Sequence, residues 1–385
     1  MMQEIKFTTD YQEILERISA LDPIKYAKTR NFTDGAMSRL SPYISRGVIS
    51  LKQIQQCIID QGFSFEAGEK FFQELAWREY YQRIWQEKKE SIWQDLRNAQ
   101  PDVEEYDMTA SVLHAETGIN AVDDGINQLY HTGYMHNHIR MYVASIVCNI
   151  GKTYWKAPSK WLYYHLLDGD IASNNASWQW VAAAFSSKKY YCNQENINKY
   201  TSGNQGGTFL DKSYEELPLL PVPDILKKRI SLNFETQLPA TTLPTLDLAR
   251  PTIIYNSYNL DPLWRKSDDV NRVLLLEPSH FHKYPVSKRV IDFIVRLSGN
   301  ISGIQIFTGE FSDLESLYKS SLHPAGEIFI SKAHPAFEHY KGIKDSYEWM
   351  FPEVTGAYGS FFKYWKLCRR ELIKSMDQSI IQNEI

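Results

Sequence analysis

At 385 residues, with 43% hydrophobic and 23% charged side chains, the chain is long enough for two domains with separate cores, which excludes disorder, collagen and a disulfide-stapled miniprotein. No run approaches the roughly 18 to 20 apolar residues that a membrane-spanning helix needs. The net charge of −4 sets up no global basic field, so contact with nucleic acid would require a local basic patch.

The opening MMQEIKFTTD places charges where an export signal needs an apolar core, so the expected location is cytoplasmic. From about residue 10 to residue 200 helical periodicity dominates, as in SLKQIQQCII, FFQELAWREYYQRIW, INAVDDGINQLY and NHIRMYVASIVCNI. Residues 206–250 are rich in turn-formers and prolines and read as a connection over the surface. Beyond Pro251, β-rich runs (PTIIYNS, RVLLLEP, GIQIFTG, GEIFISK) alternate with helical ones, which predicts parallel strands in a small Rossmann-like layer. No G-x-G-x-x-G turn is present, so a dinucleotide fingerprint is not claimed. The expected architecture is multidomain: a mostly helical domain over 1–205, a linker over 206–250 and a smaller α/β domain over 251–385.

The 14% aromatic content, from 10 Trp, 24 Tyr and 18 Phe, points to large buried surfaces, a planar ligand or an electron path. Cys57, Cys148, Cys192 and Cys368 form no C-x-x-C pair, so no zinc site, iron–sulfur cluster or disulfide framework is expected and core packing is their default role.

Four segments carry polar chemistry. In GAMSRLSPYISRGVIS (35–50), Ser38, Ser41 and Pro42 near a helix start offer hydroxyls and free N–H groups to a diphosphate, or simply cap a Pro-initiated turn. In FFQELAWREYYQRIW, Glu74, Trp77, Arg78 and Tyr81 share one helix face. That face suits either a cleft wall that binds a base or a surface Glu74–Arg78 pair between packed rings. In TGYMHNHIRMYVAS (132–145), His136 and His138 are two apart and point to different faces, so a metal pair fails and hydrogen bonding or phosphate contact is expected. In LLDGDIASNNASWQWV (166–181), Asp168 and Asp170 precede Asn174 and Asn175 on a helix with Trp178 and Trp180. The carboxylates suit a metal, acid/base work, or acceptance of ribose, amide or heterocycle donors; otherwise they form an Asx-turn and a cap. Two residues apart, one Trp can face a pocket and the other an outer wall.

Taken in order, KYAKTRNF, GAMSRLSPYISRGVIS, ELAWREYY, TGINAVDDGINQLYHTGYMHNHIRM and LLDGDIASNNASWQW resemble the flavin-binding domain of the DNA photolyase and cryptochrome family, over roughly residues 23 to 192. The resemblance implies a helical domain holding FAD folded back in a U shape. Tyr26, Ser38, Leu40 and Ser41 match residues that hold the phosphates and ribityl chain; Met37 stands where the family usually has Thr. Arg78, Asn137 and Arg140 match contacts around the diphosphate and flavin, and Asp168 and Asp170 match carboxylates near the flavin ring and the adenine side. Asn174 matches the residue facing flavin N5, where asparagine is the repair-type choice. Glu74, Trp77, Met141 and Trp180 match residues that receive a flipped-out pyrimidine dimer. Trp178 and Trp155 match the first two members of an electron relay; the outer member has no Trp equivalent, and Tyr106 lies near its place.

Several departures accompany the match. His138 and Asn127 replace Arg, Asn120 replaces Pro, and YYCNQENINKY replaces an Arg-x-Phe-Asn-Pro stretch, which removes two cations from the phosphate-binding face. The α/β layer follows the flavin domain instead of preceding it, as in a circular permutation. A second, antenna chromophore in that layer is left open, with no residue assigned to it. The resemblance implies a blue-light-driven photolyase, a lyase in which reduced FAD passes an electron to a cyclobutane pyrimidine dimer in damaged DNA. The alternative is a cryptochrome-like FAD photoreceptor that signals to a protein partner. A third reading is an interaction module with or without flavin. No metal and no membrane contact are expected, and a monomer is the default.

Overall fold

The computed structural model describes residues 6–318, 328–356 and 358–383. Its helices, in chain order, are α1 (Tyr11–Ser19), α2 (Pro23–Thr29), α3 (Ser41–Ser45), α4 (Leu51–Asp60), α5 (Phe65–Lys88), α6 (Ala110–Leu113), α7 (Asn120–Thr132) and α8 (Asn137–Ala144). They continue with α9 (Lys156–His165), α10 (Ile171–Val181), α11 (Gln194–Thr201), α12 (Pro278–Lys283), α13 (Lys288–Ser298), α14 (Phe311–Leu317) and α15 (Phe361–Asn383). The strands are β1 (Met108–Thr109), β2 (Arg229–Ile230), β3 (Thr252–Tyr255), β4 (Asn271–Leu276), β5 (Ile304–Thr308), β6 (Phe329–Lys332) and β7 (Ile343–Asp345).

Local chemistry sets the helix ends. Asp10, Ser50, Asp170 and Asn193 each accept a first-turn N–H with their side chain, at α1, α4, α10 and α11. Gly133 closes α7 at φ 73°, a conformation that favours glycine, and so turns the chain into α8. Directly after α8, Ser145–Ile150 forms a wholly buried π-helical turn.

The chain divides into two compact units that do not follow chain order. Unit 1 holds residues 22–37 and 81–233, and unit 2 holds 7–21, 38–80 and 234 onward. A linear division at 205 and 251 does not describe this grouping, because the packing partners of α1, α3, α4 and the first half of α5 are remote in sequence. Unit 1 is helical, with α7 against α8 and α10 against α8 and α9. Part of the proline-rich stretch belongs to it, since β2 pairs antiparallel with β1.

Unit 2 contains the expected parallel sheet, in the order β5-β4-β3-β6-β7. Ile254 of β3 sits between Val273 and Ser331 in register, and all four residues of β3 are buried, which is why PTIIYNS reads as a continuous apolar run. The alternation of strand and α-helix fails between β3 and β4, where residues 256–270 form turns, and between β6 and β7, where only a 3-10 turn at Pro335–Phe337 intervenes. The helical run FSDLESLYKSS is observed as α14 up to Leu317, and its last residues, like the first two of GEIFISK, lie outside the described residues. Cys148, Cys192 and Cys368 are buried and Cys57 is partly so; all four are free thiols.

Candidate functional site

In unit 1 the start of α10 gathers the polar residues. The Oδ1 of Asp170 accepts from Ser173 N at 2.7 Å and caps the helix, while its Oδ2 accepts from the Gln82 side chain on α5. Asp168, also buried, accepts both contacts of Arg140 Nη2, at 3.0 and 2.9 Å. Arg140 Nε donates to Met135 O at 2.8 Å, and its guanidinium lies over the Tyr134 ring, so the charge is held on three sides. One turn into α10, Asn174 is buried and donates through Nδ2 to Ser159 O at 2.9 Å; among the described residues no donor reaches its Oδ1.

This donor set fits a flavin. A fixed carboxylate pair accepts N–H and hydroxyl groups, a positive charge sits beside it, and the Asn174 amide oxygen is open to a donor from a ligand. Asp170, Asn174 and Trp178 follow at i, i+4 and i+8 and therefore share one face of α10. Trp178 is buried, whereas Trp180, two residues on, is 36% exposed beside Tyr190, as the spacing requires. Met141, on α8, is half-buried, Asn137 opens α8 and is exposed, and Tyr26 lies half-buried on α2.

Trp155 is wholly buried at the start of α9, and its Nε1 donates to Asp95 Oδ1 at 2.7 Å. Sequence reasoning missed Asp95, which lies in an irregular stretch with no motif. His136 accepts from His138 N at the start of α8, and His138 Nδ1 sits 3.0 Å from Asn31 O. The His138 ring lies between Tyr142 and Tyr200, and burial holds it below the usual histidine range, which favours the neutral ring. No cluster able to hold a metal exists among the described residues.

The remaining assigned residues lie in unit 2. Ser38 Oγ is within 3.5 Å of Leu40 N, Leu40 is buried, and α3 begins at Ser41 with no side-chain cap; Pro42 has no N–H to offer, and Tyr43 N donates to Leu40 O at 3.0 Å. On α5, Glu74 pairs with Lys70 at 2.9 Å, and Arg78 donates to Ser45 Oγ. Trp77 stacks on Phe361 of α15, with centroids 3.6 Å apart and planes 10° apart.

The neighbouring Glu79 was also missed. Fully buried, it accepts from Met350 N, from Phe351 N at 3.1 Å and from Tyr364 Oη at 2.7 Å, and thereby anchors the C-terminal segment on α5. At the C-terminal ends of β3 and β6, where the strand order reverses, Asn256 Nδ2, Ser257 Oγ, both Asn259 amide atoms and Ser331 Oγ are buried without a hydrogen-bond partner. Open parallel sheets bind ligands at this place.

Residues 71–239 match the family model described as the FAD binding domain of DNA photolyase. The deoxyribodipyrimidine photo-lyase of Alkalihalophilus pseudofirmus is 31% identical over 201 residues, covering 51% of this chain and 42% of that protein. The enzyme of the same name from Streptomyces griseus is 33% identical over 151 residues, covering 38% and 32%. The chain thus spans less than half the length of these curated relatives. Among solved structures, a Synechocystis cryptochrome aligns at TM-score 0.46 and 24% identity over 58% of this chain and 49% of its own. A class III photolyase from Agrobacterium tumefaciens aligns at 0.40 and 27% over 45% and 37%. At those scores the sequence matches carry the assignment. FAD is the cofactor of the matched domain, and over this part the chain is similar to the DNA photolyases.

Proposed function

We propose that the chain is a blue-light-driven photolyase that binds FAD and splits cyclobutane pyrimidine dimers in damaged DNA, acting in the cytoplasm. The observation that carries the reading is the arrangement at α10: Asp168 locked to Arg140, Asp170 fixed as cap, and an Asn174 amide oxygen that no donor among the described residues reaches. FAD, when bound, supplies the light absorption and the one-electron chemistry, and the protein supplies binding, orientation and electrostatics.

In this reading Asp168, Asp170, Arg140, Asn137 and Tyr26 hold the cofactor in unit 1. Asn174 offers a neutral acceptor at N5, Trp178 and Trp155 pass electrons inward, and Met141 and Trp180 receive the lesion. Stacking on an indole contributes about 1 to 3 kcal/mol per base.

The cryptochrome-like photoreceptor is the second reading, and two observations favour it. Phe361 already stacks on Trp77, and the neutral His138 removes a phosphate-binding cation. An absorption spectrum of the purified protein before and after blue light tests the flavin: colourless protein that refuses added FAD ends both readings. A gel shift with a single-dimer oligonucleotide, followed by illumination, separates them, since repair restores the intact strand and the photoreceptor leaves the dimer in place.

A further inference from the structure

Three aromatic rings of unit 1 lead from the interior to solvent. Trp155 is wholly buried, Tyr154 is half-buried and Tyr106 is 69% exposed. The Tyr154 and Trp155 ring centroids are 5.8 Å apart, and those of Tyr106 and Tyr154 are 5.6 Å apart. Backbone bonds keep the rings in this order: Tyr154 N donates to Glu105 O at 2.7 Å, and Glu104 N donates to Lys152 O at 2.9 Å.

One carboxylate serves two of the rings. The Nε1 of Trp155 and the Oη of Tyr154 both donate to Asp95 Oδ1, at 2.7 and 3.0 Å. Asp95 Oδ2 accepts from Gln100 N at 2.9 Å, and the Gln100 side chain in turn accepts from Trp155 N at 2.9 Å. The acceptor is thus fixed between an indole and a phenol, the two side chains most readily oxidised by one electron. An oxidised phenol is a strong acid, so a positioned carboxylate decides whether the oxidation can be completed. Burial, and then the hydrogen bond to Asp95, push the Tyr154 phenol up to about 12, so at neutral pH its electron leaves only together with its proton.

We propose that Tyr154, with Asp95 as proton acceptor and Tyr106 as the contact with solution, is the terminal electron donor when Trp155 is oxidised during light-driven reduction of the flavin. The inference rests on the photolyase-type reading given above. One electron leaves Trp155 for the oxidant, a light-excited oxidised flavin. Tyr154 returns one electron to the indole radical cation, and its phenolic proton moves to Asp95 Oδ1, which leaves a neutral indole, a neutral tyrosyl radical and a neutral carboxylic acid. A thiolate in solution refills Tyr154 by way of the exposed Tyr106 ring and departs as a thiyl radical, while Asp95 gives back the proton.

Electron paramagnetic resonance on the full chain, with tyrosine-deuterated and tryptophan-deuterated samples, tests this under two oxidants. One is blue light on FAD-loaded protein. The other is a photo-excited ruthenium tris-bipyridine complex with a sacrificial acceptor, which needs no flavin. The expected product in both is a neutral tyrosyl radical that Tyr154→Phe replaces with an indole radical. Asp95→Asn, which still accepts the two hydrogen bonds but is a far weaker base, should slow tyrosyl formation by on the order of a hundredfold, the lower end of what a positioned proton acceptor contributes. A structural role alone would leave that rate unchanged once near-ultraviolet circular dichroism shows the rings in place. Tyr106→Phe should keep the radical and prolong its life in the presence of thiol. A tyrosyl signal that survives Tyr154→Phe, an indole radical alone in the parent protein, or an Asp95→Asn rate equal to the parent's overturns the proposal. Should FAD not bind, the photolyase reading falls and the ruthenium arm still locates the radical.

Discussion

Replacing Asp168 with Asn keeps the side-chain volume and removes the charge, so it isolates the Arg140 pair. The Asp168 side chain is 4% exposed and that of Arg140 is 20% exposed. Removing one member of a buried pair costs about 3 to 5 kcal/mol, because the other charge is left uncompensated. Here the residual exposure of Arg140 and its bond to Met135 O shift the expectation to the lower end, about 3 kcal/mol, which is also the upper range for a hydrogen bond to a charged group. The measurement is urea unfolding of flavin-free protein at low and high salt, with FAD titration of the folded protein alongside. A buried pair is little screened, so the loss should be nearly the same at both ionic strengths. The Arg140→Met, Asp168→Leu double variant should lose clearly less than the sum of the two single variants, a coupling of about 1 to 3 kcal/mol. An Asp168→Asn protein as stable as the parent, or strictly additive losses in the cycle, would falsify the view that this pair is what holds the α10 carboxylates in place.

Two further outcomes follow from unit 2. Burial first, and then the positive charges of His334, Arg46, His339 and Lys283, push His280 down to about 3. Its folded value therefore lies below its unfolded one, the unfolded chain binds the extra proton, and stability is lost as pH falls from about 6.5 toward 3. That loss amounts to about 2 kcal/mol by about pH 5. His280→Phe should flatten this acid limb in thermal unfolding across a pH series, and an unchanged limb counts against it. Phe361→Ala removes a ring that is nearly fully buried on Trp77 and should cost about 3 to 4 kcal/mol. It should also raise acrylamide quenching of Trp77 and tighten binding to a dimer-bearing oligonucleotide in a gel shift; unaltered lesion affinity removes the support that the Trp77 stack gives to the photoreceptor reading.

What the sequence made legible follows the range of the interactions involved. The caps at Asp170 and Gly133, the shared face of α10 and the buried run of β3 are set within a few residues, and local pattern finds them. The parallel sheet is also legible, because β-rich runs separated by amphipathic helices leave few other arrangements. Glu79 was not legible. By composition it is one more charge on a polar helix, and only Met350, Phe351 and Tyr364, some 270 residues away, turn it into a buried anchor. Asp95 is hidden for the same reason: its partners Tyr154 and Trp155 lie about 60 residues on. For His138 the sequence left hydrogen bonding and phosphate contact both open; it sits against Asn31 O, and the rings of Tyr142 and Tyr200 that exclude water from it become apparent only in three dimensions. The same long-range packing groups residues 38–80 with the α/β layer, although their motifs belong to the flavin-domain resemblance.

The arrangement at α10 explains why so few residues position so much chemistry. Asp170 is at once the helix cap and the acceptor for Gln82 of α5, so the first turn of α10 is registered against α5 by the same carboxylate that faces the site. Asp168 is tied to α8 through Arg140, and Asn174 is tied through Ser159 O to α9. Three helices therefore converge on residues 168–174, and each tie is a hydrogen bond to a buried polar group, the kind that costs most to leave unmade. Two atoms stand outside these ties: Ser173 Oγ is buried without a partner, and no donor among the described residues reaches Asn174 Oδ1. Asn174 lies one turn beyond Asp170 on the same face of α10, so its open amide oxygen is placed to accept from the same ligand that the fixed carboxylates would hold.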